Sequence, residues 1–181
     1  MSDILSETQR RFLLRLAREV ITARLTDDRT IEPKTDDPLM AEKRGAFVTL
    51  TKKGELRGCI GYPLPVKPLA GAVAEMAGAA ATEDPRFESV SVEEMDQIHI
   101  EISVLTLPAP VGKPEDVVVG RHGIIISRGF RKGLLLPQVP LEYHWDRETF
   151  LRHGCLKAGL PPDAWKTGAN IEVFEAEVFG E

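Results

Sequence analysis

The chain has 181 residues, 23 of them basic and 28 acidic, for a net charge of −5, with 43% hydrophobic and 28% charged side chains. That length and balance suit a single domain that buries its core without disulfide or metal support. The negative charge argues against a general nucleic-acid binder, which must set a concentrated basic surface against phosphate.

No apolar run approaches the roughly 20 residues needed to span a bilayer. The stretch 1–9 is polar and acidic, with no apolar leader core. Two cysteines, Cys59 and Cys155, lie 96 positions apart, without the close spacing of a zinc or iron–sulfur site. A reducing, cytoplasmic setting is expected, and neither a metal nor a particular cofactor is indicated.

Leu13, Leu16, Ala17, Val20 and Ile21 repeat at helical spacing and predict a first helix. Ser6 and Gln9 are placed to form its capping box. From Asp27 to Arg44 charge, Thr and two prolines predict a long surface loop. A hairpin follows, 46–50 with 55–61, turning at Lys53-Gly54. Pro63, Pro65 and Pro68 stop the second strand. A helix rich in Ala and Gly over 68–81 is predicted to pack closely against a sheet.

Glu83-Asp84-Pro85-Arg86-Phe87 ends that helix, and Ser91-Val92-Glu93-Glu94 reads as a capped turn. Ile98, Ile100, Ile102 and Val104 alternate with His99, Glu101 and Ser103, a half-buried strand. Pro108, Pro110 and Pro114 form a rigid connection, the expected internal boundary of a domain spanning 1–181. A second hairpin pairs 123–127 with 133–136 through Gly129. Pro137-Gln138-Val139-Pro140 reads as a rigid, non-helical segment. Asp146 caps a helix running to Lys157 and closing at Gly159, and an alternating strand covers 172–179. Arg121, Arg128, Arg131 and Lys132 read as a solvated hairpin end. Hairpins segregated from helices indicate α+β, with an antiparallel or mixed sheet.

Chemistry concentrates at Leu56-Arg57-Gly58-Cys59-Ile60-Gly61. On a regular strand Arg57, Cys59 and Gly61 share one face, and Leu56 and Ile60 share the other, toward the core. Arg57 then sits about 7 Å from Cys59 along the strand. A cation there favours the thiolate by roughly 2 kcal/mol at an effective dielectric near 20. Gly58 and Gly61 lack side-chain bulk and admit a neighbouring backbone or a ligand. The competing reading is that Cys59 is a small buried hydrophobe, as Cys155 is expected to be within its helix. His122 is a candidate base or ligand. Asp84 with Arg86 offers an ion pair, Glu101 an acid/base partner, and Gln138 an amide to read a substrate. His144, Trp145 and His153 make no metal spacing.

Taken in order, LRGCIG at 56–61, EDPRF at 83–87, EISVL at 101–105, His122-Gly123 and GLLLPQVP at 133–140 resemble the AMMECR domain family, whose bacterial and archaeal form is called AmmeMemoRadiSam system protein A. The resemblance runs from Leu13 to Phe179. It implies an α+β fold with a larger and a smaller lobe and the LRGCIG strand near the cleft between them. It also implies partners: a Memo-like protein and a radical-SAM protein. The chain lacks the Cys-x-x-x-Cys-x-x-Cys of a radical-SAM enzyme and is not that member. Two functions follow as expectations. One is a thiol-centred enzyme or enzyme component built on Cys59, Arg57 and His122, with Gly58, Gly61, Asp84, Arg86, Glu101 and Gln138 around the substrate. The other is a non-catalytic binding module using a groove beside Arg57–Gly61 and Pro137–Pro140.

Overall fold

The computed structural model describes residues 4–181, so Met1–Asp3 of the polar N-terminal stretch lie outside the described residues. The chain divides into two compact units, 1–105 with 177–181, and 106–176. The division falls at Leu105/Thr106, just before the proline stretch.

In the first unit, helix α1 (Glu7–Asp27) buries Leu13, Leu16, Ala17, Val20 and Ile21, the stripe read from its periodicity. Its Ser6/Gln9 capping box forms, with Gln9 N–H donating to Ser6 Oγ and Ser6 N–H to Gln9 Oε1. The segment 27–44 is not all loop. Asp37 caps a one-turn helix, α2 (Pro38–Ala41), whose Met40 is buried. Pro38 fits there because the first helical position needs no N–H.

Strands β1 (Ala46–Lys52) and β2 (Glu55–Tyr62) form the predicted hairpin. Lys53 and Gly54 both take positive φ, 54° and 84°, as a two-residue turn of the primed type requires. Helix α3 (Leu69–Thr82) follows, then a 3₁₀ turn Val92–Gln97 and strand β3 (Ile98–Leu105). The sheet order is β2-β1-β3-β8, with β8 (Ala176–Gly180) returning from the C-terminus. Ala46, Val48, Leu50, Ile98, Ile100, Ile102 and Val104 turn to a core shared with α1 and α3. The chain end is tied down by Arg10 Nε donating to Glu177 at 2.8 Å and by an Arg18–Glu181 ion pair.

The second unit has the sheet order β4-β7-β5-β6, from β4 (Ala109–Pro110), β5 (Gly123–Arg128), β6 (Arg131–Leu135) and β7 (Asn170–Phe174). Two helices accompany it, α4 (Val139–Glu142) and α5 (Arg147–Lys157). Ile124, Ile126, Phe150, Leu151 and Cys155 centre its core. Each registered strand pair is antiparallel, and the fold is α+β.

Three further local expectations are corrected. Pro137–Pro140 is not wholly non-helical: Val139 and Pro140 open α4, where proline's fixed φ suits the first turn. The strand expected over 172–179 is two strands, β7 and β8, which break at Glu175 because each belongs to a different sheet. The third correction, at Leu56, belongs to the site.

Candidate functional site around Cys59

Strand β2 does not alternate regularly. Leu56 pairs with Thr51 and Gly58 with Leu50, so Arg57 is an extra residue with nothing opposite it. This β-bulge reverses the facing of residues before it relative to those after it. Leu56 therefore lies on the face of Thr49 and Thr51 and is 42% exposed, whereas Ile60 packs against the core. The expectation that both face inward fails at Leu56 for that reason.

Beyond the bulge, Cys59 pairs with Thr49, and Thr49 with Glu101. Thiol, hydroxyl and carboxylate thus stand in one row on the sheet face opposite the α1–α3 core. Cys59 is half-buried, with its Sγ 3.2 Å from Thr49 Oγ1. Thr49 and Cys59 form a non-hydrogen-bonded pair, the kind that brings side chains closest. Cys59's own N–H and C=O point off the edge of the sheet and take other partners.

Those partners are Asp84 and Arg86. Cys59 N–H donates to Asp84 Oδ2 at 2.8 Å, and Arg86 Nη2 donates to the Cys59 carbonyl at 3.3 Å. Arg86 also grips Asp84 through Nε (2.9 Å) and Nη2 (2.7 Å), and its backbone N–H adds a bond at 3.1 Å. The Asp84 side chain is only 2% exposed. Its carboxyl is held far below the usual carboxylate range, because hydrogen bonding by Arg86 outweighs the cost of burial and the Cys59 and Arg86 N–H groups add to it. Arg86 is raised in turn, chiefly by Asp84 and to a lesser degree by Cys59. At Cys59 the two residues occupy the position that a neighbouring strand would take and cover the edge of β2 there.

Arg57 is engaged elsewhere. Its guanidinium meets Glu94 at 3.0 Å and donates to the carbonyls of Glu88 (2.7 Å) and Ser89 (3.2 Å). Lys52 Nζ donates to the same Glu94 at 2.7 Å, and Ser91 N–H caps it at 2.9 Å. Arg57, then Lys52, then Ser91 hold the Glu94 carboxyl down to about 2. The charge of Arg57 is thereby matched within a cluster that fastens the Val92–Gln97 turn to the hairpin.

The space above both glycines is occupied. A Cβ on Gly58 would lie 2.1 Å from the Ala80 carbonyl oxygen of α3, and one on Gly61 would lie 2.3 Å from the Phe47 ring. Gly58 is where the helix backbone touches the sheet. Gly61 is where a cross-strand aromatic ring folds over.

His122 and Gln138 belong to the second unit. The His122 Nδ1 accepts the Val118 N–H at 3.1 Å, and Nε2 lies 3.8 Å from Glu175. Burial lowers its pKa, against the pull of Glu175. Gln138 is exposed at the start of α4. The basic cluster is partnered: Arg121 with Glu175, Arg128 with the Ala164 and Thr167 carbonyls, Arg131 with the Gly159 carbonyl, and Lys132 with Glu172 at 4.0 Å. Cys155 is fully buried, and burial pushes its thiol up. Among the described residues no group of three His, Cys, Asp or Glu side chains is set to hold a metal ion, and no helix is long and apolar enough to cross a membrane.

Comparison with known proteins settles the family. Residues 14–179 match AMMECR1. The chain belongs to the AMMECR1 family. A relative from Methanopyrus kandleri is 52% identical across the whole chain and 92% of its own length. One from Thermococcus gammatolerans is 49% identical over 94% of this chain and 89% of the relative. The crystal structure of an uncharacterised protein from Pyrococcus horikoshii is similar with a TM-score of 0.76 and 46% identity, covering 94% of this chain and 90% of that one. LRGCIG and EDPRF, two of the segments that carry the AMMECR1 resemblance, are joined in this fold by the Asp84–Cys59–Arg86 clamp.

Two residues of the site are not singled out by the sequence. Thr49 is visible there only as a polar member of an alternating strand, and its register against Cys59 is a long-range fact. Glu94 is legible as a cap, but its pairing with Arg57 is not.

Proposed function

We propose that this AMMECR1 protein is a thiol-centred enzyme or enzyme component acting through Cys59. The observation that carries the reading is the half-buried Cys59 Sγ lying 3.2 Å from the Thr49 hydroxyl on the sheet face opposite the α1–α3 core. The Asp84–Arg86 clamp supports it, because the backbone of Cys59 is fixed from the opposite side and the thiol is presented in one place. Thr49 orients the sulfur, and its hydroxyl is within reach to donate to a thiolate. Asp84, saturated by four hydrogen bonds, serves the clamp and not proton transfer. The sulfur is the nucleophile or redox group of this reading. We further infer a cytoplasmic setting, where both thiols stay reduced, and Memo-like and radical-SAM proteins as partners; co-purification with tagged chain tests the latter.

The alternative, a non-catalytic binding module with a groove beside Arg57–Gly61, has less support, since Ala80 and Phe47 fill the volume over Gly58 and Gly61. The deciding experiment is the pH dependence of iodoacetamide labelling in the native chain, read at the Cys59 and Cys155 peptides by mass spectrometry. Labelling of Cys59 well ahead of Cys155 is expected. Equal protection of both thiols until the protein unfolds would return Cys59 to the role of packing residue.

A further inference from the structure

The three cations and three carboxylates around Cys59 are not evenly paired. Arg57 and Lys52 share the carboxylate of Glu94, and Arg86 is paired with Asp84. Glu101, in the same cross-strand row as Cys59 and Thr49, is half-buried and has no hydrogen-bond or ion-pair partner among the described residues. One position along β1 on the same face stands Phe47, whose ring covers Gly61 and whose outer side remains part exposed. A carboxylate with no counter-charge and an aromatic ring on one face are the two groups that together favour a positive charge.

Building on the Cys59 reading, we propose that the ligand taken at this face is cationic, an alkylammonium-bearing molecule whose charge Glu101 reads while its reactive end meets Cys59. An anionic ligand would find the two guanidinium groups near the thiol already in ion pairs and would lie beside the Glu101 carboxylate, which is in none. The cross-strand spacing, near 5 Å per strand, puts Glu101 about 10 Å from Cys59. That separation suits a short chain between the charged and reactive ends of the ligand, not a direct proton exchange between the two residues.

The test uses two methanethiosulfonate reagents of similar size, one bearing 2-aminoethyl and one 2-sulfonatoethyl. In each, the Cys59 thiolate attacks the sulfenyl sulfur, forms the mixed disulfide and releases methanesulfinate. Rates are read at the Cys59 peptide of the full native chain and normalised to the same pair reacting with a small free thiol. The cationic reagent is expected to lead on the order of tenfold at low salt and less at high salt. Glu101→Gln should collapse the ratio toward that of the free thiol, and Glu101→Lys should invert it.

A native ratio equal to the free-thiol ratio, or one that Glu101→Gln leaves intact, overturns the cationic ligand and leaves the Cys59 reading standing. Failure of Cys59 to react with either reagent while the chain is folded overturns both.

Discussion

The carboxylate of Asp84 receives the backbone N–H of Cys59 at 2.8 Å, and the residue two further on, Arg86, covers the Cys59 carbonyl. A turn that ends a helix thereby substitutes for a missing strand at one residue of an edge. Removing the carboxylate leaves the Cys59 N–H unpaired and the Arg86 guanidinium without its partner. Asp84→Ala is expected to cost about 2–4 kcal/mol, discounted from the value for a wholly buried pair because Arg86 is 54% exposed. Urea unfolding measures it. A loss below about 0.5 kcal/mol would mean the clamp contributes nothing beyond an ordinary surface contact.

The Arg57–Glu94–Lys52 cluster makes stability depend on acid. The Glu94 carboxyl is depressed from 4.5 to about 2 in the folded chain. A depressed acid contributes stability that is present above its unfolded pKa and is lost as pH falls through the folded one. The window is therefore about pH 4.5 down to 2. Between pH 6 and pH 3 the wild-type chain should lose about 2 kcal/mol more than Glu94→Gln, which has no such proton to take up. Parallel loss in both proteins over that range would remove Glu94 as the source. Asp84 shifts in the same direction and is common to both chains, so it cancels from the comparison.

The glycines of the first unit separate close packing from open space. Gly58→Ala drives a methyl to 2.1 Å from the Ala80 carbonyl oxygen, a backbone atom that cannot rotate away. Expected cost is about 2 kcal/mol or more, as overpacking forces β2 and α3 apart. Gly71, within α3, has nothing within 4 Å of the added methyl. There alanine improves helix propensity, and Gly71→Ala should stabilise by about 0.5–1 kcal/mol. Thermal denaturation of the two variants, one falling and one rising in Tm, checks both signs. Similar shifts for both would contradict the contact between β2 and α3.

Periodic elements are legible in the amino-acid sequence by itself. The α1 stripe and the alternation of β3 each repeat often enough that one arrangement satisfies every residue. What stays hidden comes from partners distant in sequence. The strand over 172–179 keeps its alternation through Glu175, so its transfer between sheets leaves no local mark. Pro140 reads as a breaker when considered alone, yet it suits the first turn of α4. In the candidate site Cys59 is legible from its string, and the Asp84–Arg86 ion pair from its own. That the two meet is a matter of chain reversal after α3, which spacing does not encode. Proximity in sequence assigns Arg57 to the thiol, whereas in the fold Glu94 competes for it with a full charge at 3.0 Å.

The bulge at Arg57 yields the sharpest contrast. A regular strand buries Leu56 and Ile60 together, and equal truncations would then cost equal amounts. With an extra residue between them they lie on opposite faces, Leu56 exposed beside Thr51 and Ile60 against the core. Leu56→Ser is therefore expected to stay within about 0.5 kcal/mol of wild type, as surface changes do. Ile60→Ala should cost about 2 kcal/mol, the low end for a core isoleucine, because Ile60 is only partly buried. Chemical denaturation of the two single variants and the double variant measures both terms and their coupling. Residues on opposite faces share no partner, so the double should equal the sum within about 0.5 kcal/mol. A large cost at Leu56, or strong coupling to Ile60, would put both side chains in one core and remove the bulge. It would also undo the row of Cys59, Thr49 and Glu101, because that row depends on the same register.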